Sequence, residues 1–224
     1  MDEVVKTDRR EQRRAETESR LIEAASALFV ERGYAGTTLA AVAERADVAP
    51  RTLYLHFSAK ADLLLRCIGY AIAGDAEPVA LEDRPPMAQA MKAATLDERL
   101  RRMAALTASL MERTGALLDV AFQAAPSEPL LAAAAAAGRA DTRRTLRRFW
   151  RQMHDDGLLA PSVDLEWLAE TATLLAHAET YLLIGRTAGW DGDAYEEWLV
   201  TTWHRLATGT APASGRDGTT RRAP

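Results

Sequence analysis

Apolar residues recur at three- and four-residue intervals along almost the whole of this 224-residue chain, and no long segment alternates between apolar and polar residues. The first pattern buries one stripe of an α-helix, whereas strict alternation is typical of a half-buried β-strand. Alanine, leucine, arginine and glutamate dominate, and these residues favour helix. The sequence therefore predicts an all-α fold in which helices bury their apolar stripes against one another.

Glycine and proline divide this pattern into segments. An apolar stripe over residues 16–32 predicts one helix that Gly33 ends. Three short segments follow, and a further helix is predicted from about Lys60 to Ala73. Residues 74–86 contain three prolines, so we predict a loop or a broken helix there.

The second half of the chain is predicted to form longer helices. We predict helices over residues 96–113 and 116–125, a long helix that ends at about Asp156, and an apolar helix over 164–187 that Asp164 caps. A last helix follows, opened by Asp193 and ending at about Ala207. The predicted organisation is a basic flexible arm (1–15), a DNA-binding domain (16–60), a ligand-sensing and dimerisation domain (61–207) and a disordered tail (208–224).

Charge and cysteine content limit the partners and the compartment. Lysine and arginine total 28 against 32 acidic residues, a net charge of −4, so any nucleic-acid surface has to be a local basic patch. Cys67 is the single cysteine, which excludes a disulfide or a cysteine-based zinc site within one chain. We see no secretory signal and no apolar run approaching the roughly 18 residues of a membrane span. We therefore expect a soluble, cytoplasmic protein.

Residues 37–60 predict two short helices joined by a tight turn. Thr37 or Thr38 is a suitable N-cap for the first helix, and Asp47 tolerates the left-handed backbone that a sharp turn often needs. Pro50 suits the first turn of the second helix. Two such helices form a helix-turn-helix, whose second helix fits the major groove of DNA.

One segment is specific enough to compare with known families. It reads LIEAASALFVERGYAGTTLAAVAERADVAPRTLYLHF, follows an arginine-rich start and is closely followed by Lys60. Over roughly residues 14–66 the chain resembles the TetR family of transcriptional regulators, and the rest matches only in helical character and length. The resemblance implies a three-helix DNA-binding domain, a larger helical sensor domain and a homodimer that reads a palindromic operator. Asp47 and Ser58-Ala59 depart from the frequent glycine and Pro-Ser of the family.

The outer face of the second helix carries the predicted contacts to DNA. Arg51 can bond guanine bidentately, a contact that contributes roughly 1–3 kcal/mol of discrimination, and Leu55 suits a thymine methyl group. The TetR-like pattern implies phosphate contacts for Tyr54 and His56, although either could be an ordinary surface residue. The full predicted set is Thr38, Arg51, Thr52, Tyr54, Leu55, His56 and Lys60.

Basic groups flank this helix on both sides. Lys60 lies at a predicted helix N-terminus, where a cation opposes the helix dipole and a bound phosphate would remove that conflict. Further phosphate or minor-groove contacts are predicted from the flexible arm. Its basic residues alternate with acidic ones, so a solvated helix start explains them equally well. They are Lys6, Arg9, Arg10, Arg13 and Arg14.

The last two predicted helices carry wide apolar surfaces that a monomer would struggle to cover. The resemblance implies that they form a four-helix dimer interface. A cavity for a small, mostly apolar effector is predicted between the central helices. Its predicted ligand-binding residues are Met103, Phe122, Gln123, Trp150, Met153, His177 and Tyr181, and further candidates are Leu106, Phe149 and His154. Core packing is the alternative explanation for each.

A helical-bundle enzyme or ligand-binding protein acting on a small apolar molecule is the alternative function. The sequence has no Glu-x-x-His metal pair and no glycine-rich phosphate loop, and Cys67 lies at helical spacing with apolar neighbours. We therefore predict no catalytic residue, no metal and no cofactor. The operator, the effector and the sign of regulation do not follow from the sequence, and the leading hypothesis is a repressor.

Overall fold

The computed structural model describes residues 2–74 and 85–209, with side chains from residue 12 onward. Every regular element in these ranges is an α-helix, and none of these helices is long and apolar enough to cross a membrane. The described helices are α1 Asp2–Gly36, α2 Leu39–Arg45, α3 Pro50–His56, α4 Lys60–Ala73, α5 Pro85–Lys92, α6 Leu96–Ala124, α7 Pro129–Asp155, α8 Leu165–Leu175, α9 Ala178–Ala188 and α10 Gly192–Thr208.

Helices α1–α4 enclose the first of two apolar cores. The stripe predicted on α1 is buried there, with Leu21, Ala25 and Phe29 fully inaccessible. The same core continues into the C-terminal end of α6, which contributes Val120 and Ala124. The N-terminal helices are therefore joined to the rest of the chain by shared packing as well as by the chain itself.

The end of α1 is bent and tied to the next helix. Gly33 has a left-handed φ of 69°, which kinks the helix where the sequence predicts that it stops. The buried hydroxyl of Thr37 bonds the carbonyl oxygens of Leu28 (3.0 Å) and Gly33 (2.8 Å). Thr38 is the N-cap of α2, and its side chain accepts from the backbone N–H of Ala41. Of the two candidate caps, Thr38 fills the role.

The turn between α2 and α3 has the predicted left-handed residue. Asp47 has a φ of 50°, and it is the only residue other than glycine with a positive φ in the described chain. Its backbone N–H donates to the carbonyl of Glu44, and the N–H of Val48 donates to that of Ala43. These bonds close a compact helix-turn-helix.

The backbone of residues 2–15 is helical and continuous with α1, whereas we predicted a flexible arm. Arginine, glutamate and glutamine are good helix formers, and they dominate this segment. The hydroxyl of Thr17 also bonds the carbonyl of Arg13 one turn earlier. The alternative explanation for the basic residues, a solvated helix start, therefore agrees with the backbone.

Helix α6 is continuous across residues 96–124, whereas we predicted two helices that part near Gly115. Gly115 is buried in this helix, and a Cβ atom at its position would lie 3.0 Å from the ring of Tyr181. The glycine therefore serves a close helix-to-helix contact rather than a helix end. Sequence alone does not distinguish the two uses of glycine.

The single helix predicted over 164–187 is two helices, α8 and α9, separated at Ala176 and His177. The carbonyl oxygens released by the break have side-chain partners. Thr180 donates its hydroxyl to Leu174 (2.6 Å), and the hydroxyl of Tyr195 on α10 donates to Leu175 (2.7 Å). The bond from Tyr195, on a distant helix, explains why local sequence does not predict the break.

The largest fully buried side chains of the second core are aromatic residues of α7 and α10, and we call this part the aromatic core. The rings of Trp150 and Trp203 meet edge to face at 6.1 Å, and both side chains are fully buried. Helix α10 is capped by Asp191, whose side chain accepts from the N–H of Ala194, and not by Asp193 as we predicted.

Two predictions lie largely outside the described residues. They are the loop or broken helix at 74–86 and the disordered tail at 208–224. Where these segments meet the described chain, α4 ends at a left-handed Gly74, α5 begins at Pro85 and α10 ends at Thr208.

Candidate DNA-binding surface and ligand cavity

Helix α3 presents an outer face that the described residues leave accessible. Leu53 is fully buried, whereas the next two residues, Tyr54 and Leu55, are 60% and 74% exposed. Arg51 is exposed in the first turn, just after Pro50 at the helix start. A large exposed leucine beside an arginine and a tyrosine is an arrangement suited to base edges and phosphates in a major groove.

The other predicted contacts lie around this helix. Thr52 and His56 are half-buried on α3, and Thr38 is exposed at the start of α2. Thr38 already accepts one hydrogen bond as the N-cap, and its hydroxyl proton stays available for an acceptor such as a phosphate oxygen. The structure therefore brings Thr38, Arg51, Tyr54 and Leu55 to the accessible surface of one domain.

Lys60 already has partners within the protein. Its ammonium donates to the carbonyl oxygen of Tyr34 (2.7 Å) and lies 4.2 Å from the centre of the Tyr34 ring. Burial, followed by a hydrogen bond to the Glu128 carboxylate, raises the pKa of Tyr34 to about 12. Tyr34 thereby joins the end of α1, the start of α4 and the start of α7. A phosphate contact from Lys60 would have to be made beside these interactions or in exchange for them.

A cavity of about 420 Å³ lies between α4, α6, α7 and the α8–α9 break. Of the residues predicted to bind ligand, Met103, Phe122 and His177 line it, as does the further candidate Leu106. The break between α8 and α9 places His177 at the wall. Pockets of this size and apolar character hold small organic molecules.

Four predicted ligand-binding residues lie elsewhere. Trp150 and Met153 are fully buried in the aromatic core, because their face of α7 turns toward α10 and α8. Gln123 is exposed and donates to Asp119 one turn away (3.0 Å). Tyr181 packs against the ring of Tyr195 at 5.0 Å.

The two remaining candidates are also absent from the wall. Phe149 is buried beside Trp150, and His154 is exposed near the end of α7, 3.3 Å from Asp155. Aromatic and methionine content identified the general region of the domain. It did not separate side chains that fill the core from side chains that enclose the cavity.

Apart from His177, the polar lining was not predicted. Thr107 and Thr114 stand seven residues apart on one face of α6 and donate their hydroxyls to the carbonyls of Met103 (2.8 Å) and Leu110 (2.7 Å). The sequence did contain a signal for this lining, because the two threonines occur at helical spacing within an apolar stripe. Two ion pairs also belong to the lining, Arg139 with Glu179 and Arg144 with Asp141.

His177 is the ionisable cavity residue whose environment changes its proton affinity. Burial lowers its pKa below the ordinary value of 6.5, Glu179 opposes this shift and Arg139 adds to it. The neutral imidazole has one donor and one acceptor. It is therefore suited to a hydrogen bond with an uncharged group.

Cys67 does not have the environment of a nucleophile. It is buried, its thiol lies 3.6 Å from the carbonyl oxygen of Ile22, and burial raises its pKa to about 11. A reactive cysteine needs the opposite shift. In the ranges 2–74 and 85–209 there is also no cluster of three or more metal-binding side chains.

The outer faces of α8 and α9 expose large apolar side chains. Trp167, Leu174 and Leu183 are each more than half exposed, and Trp190 follows in the turn before α10. Exposed large apolar side chains, where they form a patch, are typical of a surface that meets another protein.

Comparison with known proteins gives a family match for the N-terminal helices. Residues 21–67 match the family described as bacterial regulatory proteins, tetR family. No curated protein gives a significant sequence match to the chain. The matched residues contain α2, α3 and the turn between them.

Solved structures match almost the whole chain. A protein from Mesorhizobium loti, assigned to the TetR family of transcriptional regulators, has a TM-score of 0.66 and 20% identity, covering 87% of this chain and 96% of that one. A TetR transcription regulator from Haloarcula marismortui has a TM-score of 0.65 and 15% identity, with coverages of 86% and 97%. SmeT in complex with triclosan has a TM-score of 0.65 and 18% identity, with coverages of 92% and 99%. At these identities the likeness establishes the fold.

Proposed function

Because residues 21–67 belong to the tetR family of bacterial regulatory proteins and the chain has the fold of TetR-family regulators, we propose that it is a homodimeric repressor. It binds a palindromic operator through α3 and releases it when a small, mostly apolar molecule enters the cavity. The exposed face of α3 carries this proposal, because Leu55 and Tyr54 have no packing role that accounts for their position.

The exposed apolar faces of α8 and α9 support the dimer. Trp167, Leu174 and Leu183 would be covered by the same face of a second copy, as in an isologous two-fold interface. A two-fold axis would set the two α3 helices about 34–36 Å apart, one turn of DNA, and would make the operator palindromic.

Helix α4 supports the coupling between effector and DNA. Leu63 and Leu64 are buried in the N-terminal core, whereas Leu65 and Ile72 of the same helix line the cavity. An effector that displaces α4 would therefore change the position of α3. We expect a coupling free energy of about 1–3 kcal/mol between the two sites.

The effector itself is a small organic molecule in this proposal. The cavity of about 420 Å³ has a mostly aliphatic wall, which suits an apolar ligand with few polar groups. The similar structure of SmeT holds triclosan, a precedent for such a molecule within this fold.

A binding selection from random DNA duplexes, repeated with variants, tests the proposal. We expect an enriched palindrome whose preference relaxes at one base pair with Arg51→Ala, by roughly 1–3 kcal/mol. Lys60→Ala is expected to weaken binding to all sequences and to lower the salt dependence by about one phosphate contact per protomer. Arg102→Ala, which removes a surface arginine paired with Glu98 on α6, is the matched control and should change neither quantity.

The outcome separates the parts of the proposal. An enriched site without two-fold symmetry would refute the palindromic operator, and the absence of any enriched duplex at moderate salt would refute sequence-specific DNA binding. If Lys60→Ala lowers the melting temperature without changing the salt dependence, then Lys60 acts through Tyr34 and not through a phosphate.

A further inference from the structure

Three threonines of the cavity wall have already used their hydroxyl protons within the protein. The hydroxyl protons of Thr107 and Thr114 are committed to carbonyls of α6, and that of Thr142 on α7 is committed to the carbonyl of Gly138 (3.1 Å). All three threonines line the cavity. Each hydroxyl oxygen keeps its lone pairs, so it can still accept from a ligand but has no proton left to donate.

The remaining neutral polar groups both donate and accept. His177 and Thr145 line the cavity, and neither side chain forms a hydrogen bond within the part of the chain that the structure describes. Burial keeps the imidazole of His177 neutral, with one donor and one acceptor. Thr114 is fully buried, so among the neutral side chains a ligand that donates a hydrogen bond finds partners at four, whereas a ligand that only accepts finds them at two.

The charged groups of the wall neutralise one another. Arg139 bonds Glu179 at 2.7 Å, and Arg144 bonds Asp141 at 2.6 Å. All four side chains are at least two-fifths exposed, so they lie toward solvent rather than in the apolar interior. Each guanidinium has further N–H groups, but both arginines are largely exposed, so a carboxylate held in the apolar interior would be buried unpaired, which is costly.

We propose that the effector is an uncharged apolar molecule with one O–H or N–H donor, which bonds the acceptor oxygen of Thr107 on α6, with His177 at the α8–α9 break as the second polar partner. This proposal rests on the proposed function, because it names the chemical class of that same effector. A phenol or an aliphatic alcohol is the simplest molecule of this class.

The cavity volume sets the size of the molecule. A water-sized group takes about 30 Å³ of liquid volume, so 420 Å³ corresponds to about 14 non-hydrogen atoms. An alkylphenol with a six-carbon chain is close to this size. Its methyl ether and the corresponding alkylbenzoate differ little from it in shape. The ether lacks the donor, and the benzoate adds a charge.

The test is a calorimetric titration of the full chain, without DNA, with para-hexylphenol, para-hexylanisole and para-hexylbenzoate. One net hydrogen bond contributes about 0.5–1.5 kcal/mol, so we expect the phenol to bind about 3- to 10-fold tighter than the ether. The benzoate is expected to bind more weakly than either. Equal affinity of phenol and ether, preference for the benzoate, or no saturable binding of the phenol would each overturn the proposal.

Variants identify the acceptor. Thr107→Val removes the hydroxyl with little change of shape, so it should weaken the phenol several-fold and leave the ether unchanged. Thr173→Val is the matched control, because Thr173 is a buried threonine that donates to a carbonyl one turn earlier (2.7 Å) but lies outside the cavity wall. A loss of phenol binding in Thr173→Val equal to that in Thr107→Val would show a general effect on stability and overturn the assignment.

Failure of this proposal is distinguishable from failure of the proposed function. Titration without DNA reports the ligand class alone, and the duplex selection reports DNA binding alone. Phenol selectivity without any enriched duplex would leave the ligand assignment in place and remove the regulator. If the ether released the operator as readily as the phenol, the regulator would stay in place and the ligand assignment would be refuted.

Discussion

The helix-turn-helix and the cavity domain differ in how far a side chain's environment follows from its neighbours in sequence. On α3, Leu53 is buried and Leu55 is exposed, because a helix of two turns has one face to bury. In the cavity domain, Met103 and Met153 are equally buried, yet only Met103 lines the cavity. Helical spacing decides the first case, and contacts between segments far apart in sequence decide the second.

The largest expected effect is a loss of stability that distinguishes a core side chain from a side chain of the cavity wall. Trp150→Ala removes a fully buried ring that packs on Trp203 and should lower the free energy of unfolding by about 3–5 kcal/mol. Phe122→Ala removes a half-buried ring beside existing empty space, so it should cost clearly less. Denaturant unfolding of both variants measures the difference. Equal losses would mean that the cavity wall is as tightly packed as the aromatic core.

A second pair separates folding from DNA contact on one helix. Leu53→Ala should cost about 2–5 kcal/mol of stability, as for a fully buried leucine. Leu55→Ala should leave the melting temperature nearly unchanged but weaken binding to the selected duplex. Thermal unfolding and duplex titration of the two variants measure both quantities. A large loss of stability in Leu55→Ala would place this leucine in an interface between copies rather than against DNA.

A third effect concerns backbone strain at the turn. Asp47→Gly should raise the stability by about 0.5–1 kcal/mol, because glycine adopts the left-handed conformation without the steric cost of a Cβ atom. Gly157→Ala is the converse, since Gly157 has a φ of 70° and open space around its Cβ position. It should destabilise by a similar amount. Shifts of the same sign in the two variants, seen in thermal unfolding, would contradict the backbone explanation.

The smallest effect is a pH dependence from the cavity domain. Burial holds the folded-state pKa of His177 below 6.5, so the unfolded chain binds more protons there. The stability contributed by neutral His177 is therefore complete above pH 6.5 and is lost as the pH falls through the lower folded-state pKa. His177→Gln should flatten this part of the profile of unfolding free energy against pH, whereas His154→Gln, at an exposed position, serves as the control. An unchanged profile in His177→Gln would contradict the assignment.

The two domains were predictable to different extents. The N-cap at Thr38, the left-handed Asp47 and the exposed Leu55 each follow from properties of the residue and its nearest neighbours. The break at His177 did not follow, because Tyr195 on another helix bonds a carbonyl that the break releases. Gly115 was interpreted as a helix end since its close neighbour, Tyr181, is distant in sequence. The sequence predicted a cavity among the central helices, but its wall depends on such pairings.

The shared core of the N-terminal helices has a consequence for engineering. Leu117, Val120 and Ala124, near the end of α6, are buried against α1 and α4, more than fifty residues beyond the end of α3 in the chain. A chimera that exchanges only the first sixty residues for those of another regulator would pack the N-terminal helices of one protein against the α6 side chains of another, although the two together form a single core. Specificity for DNA is therefore transplanted more safely by exchanging the outward residues of α3 than by moving the whole domain.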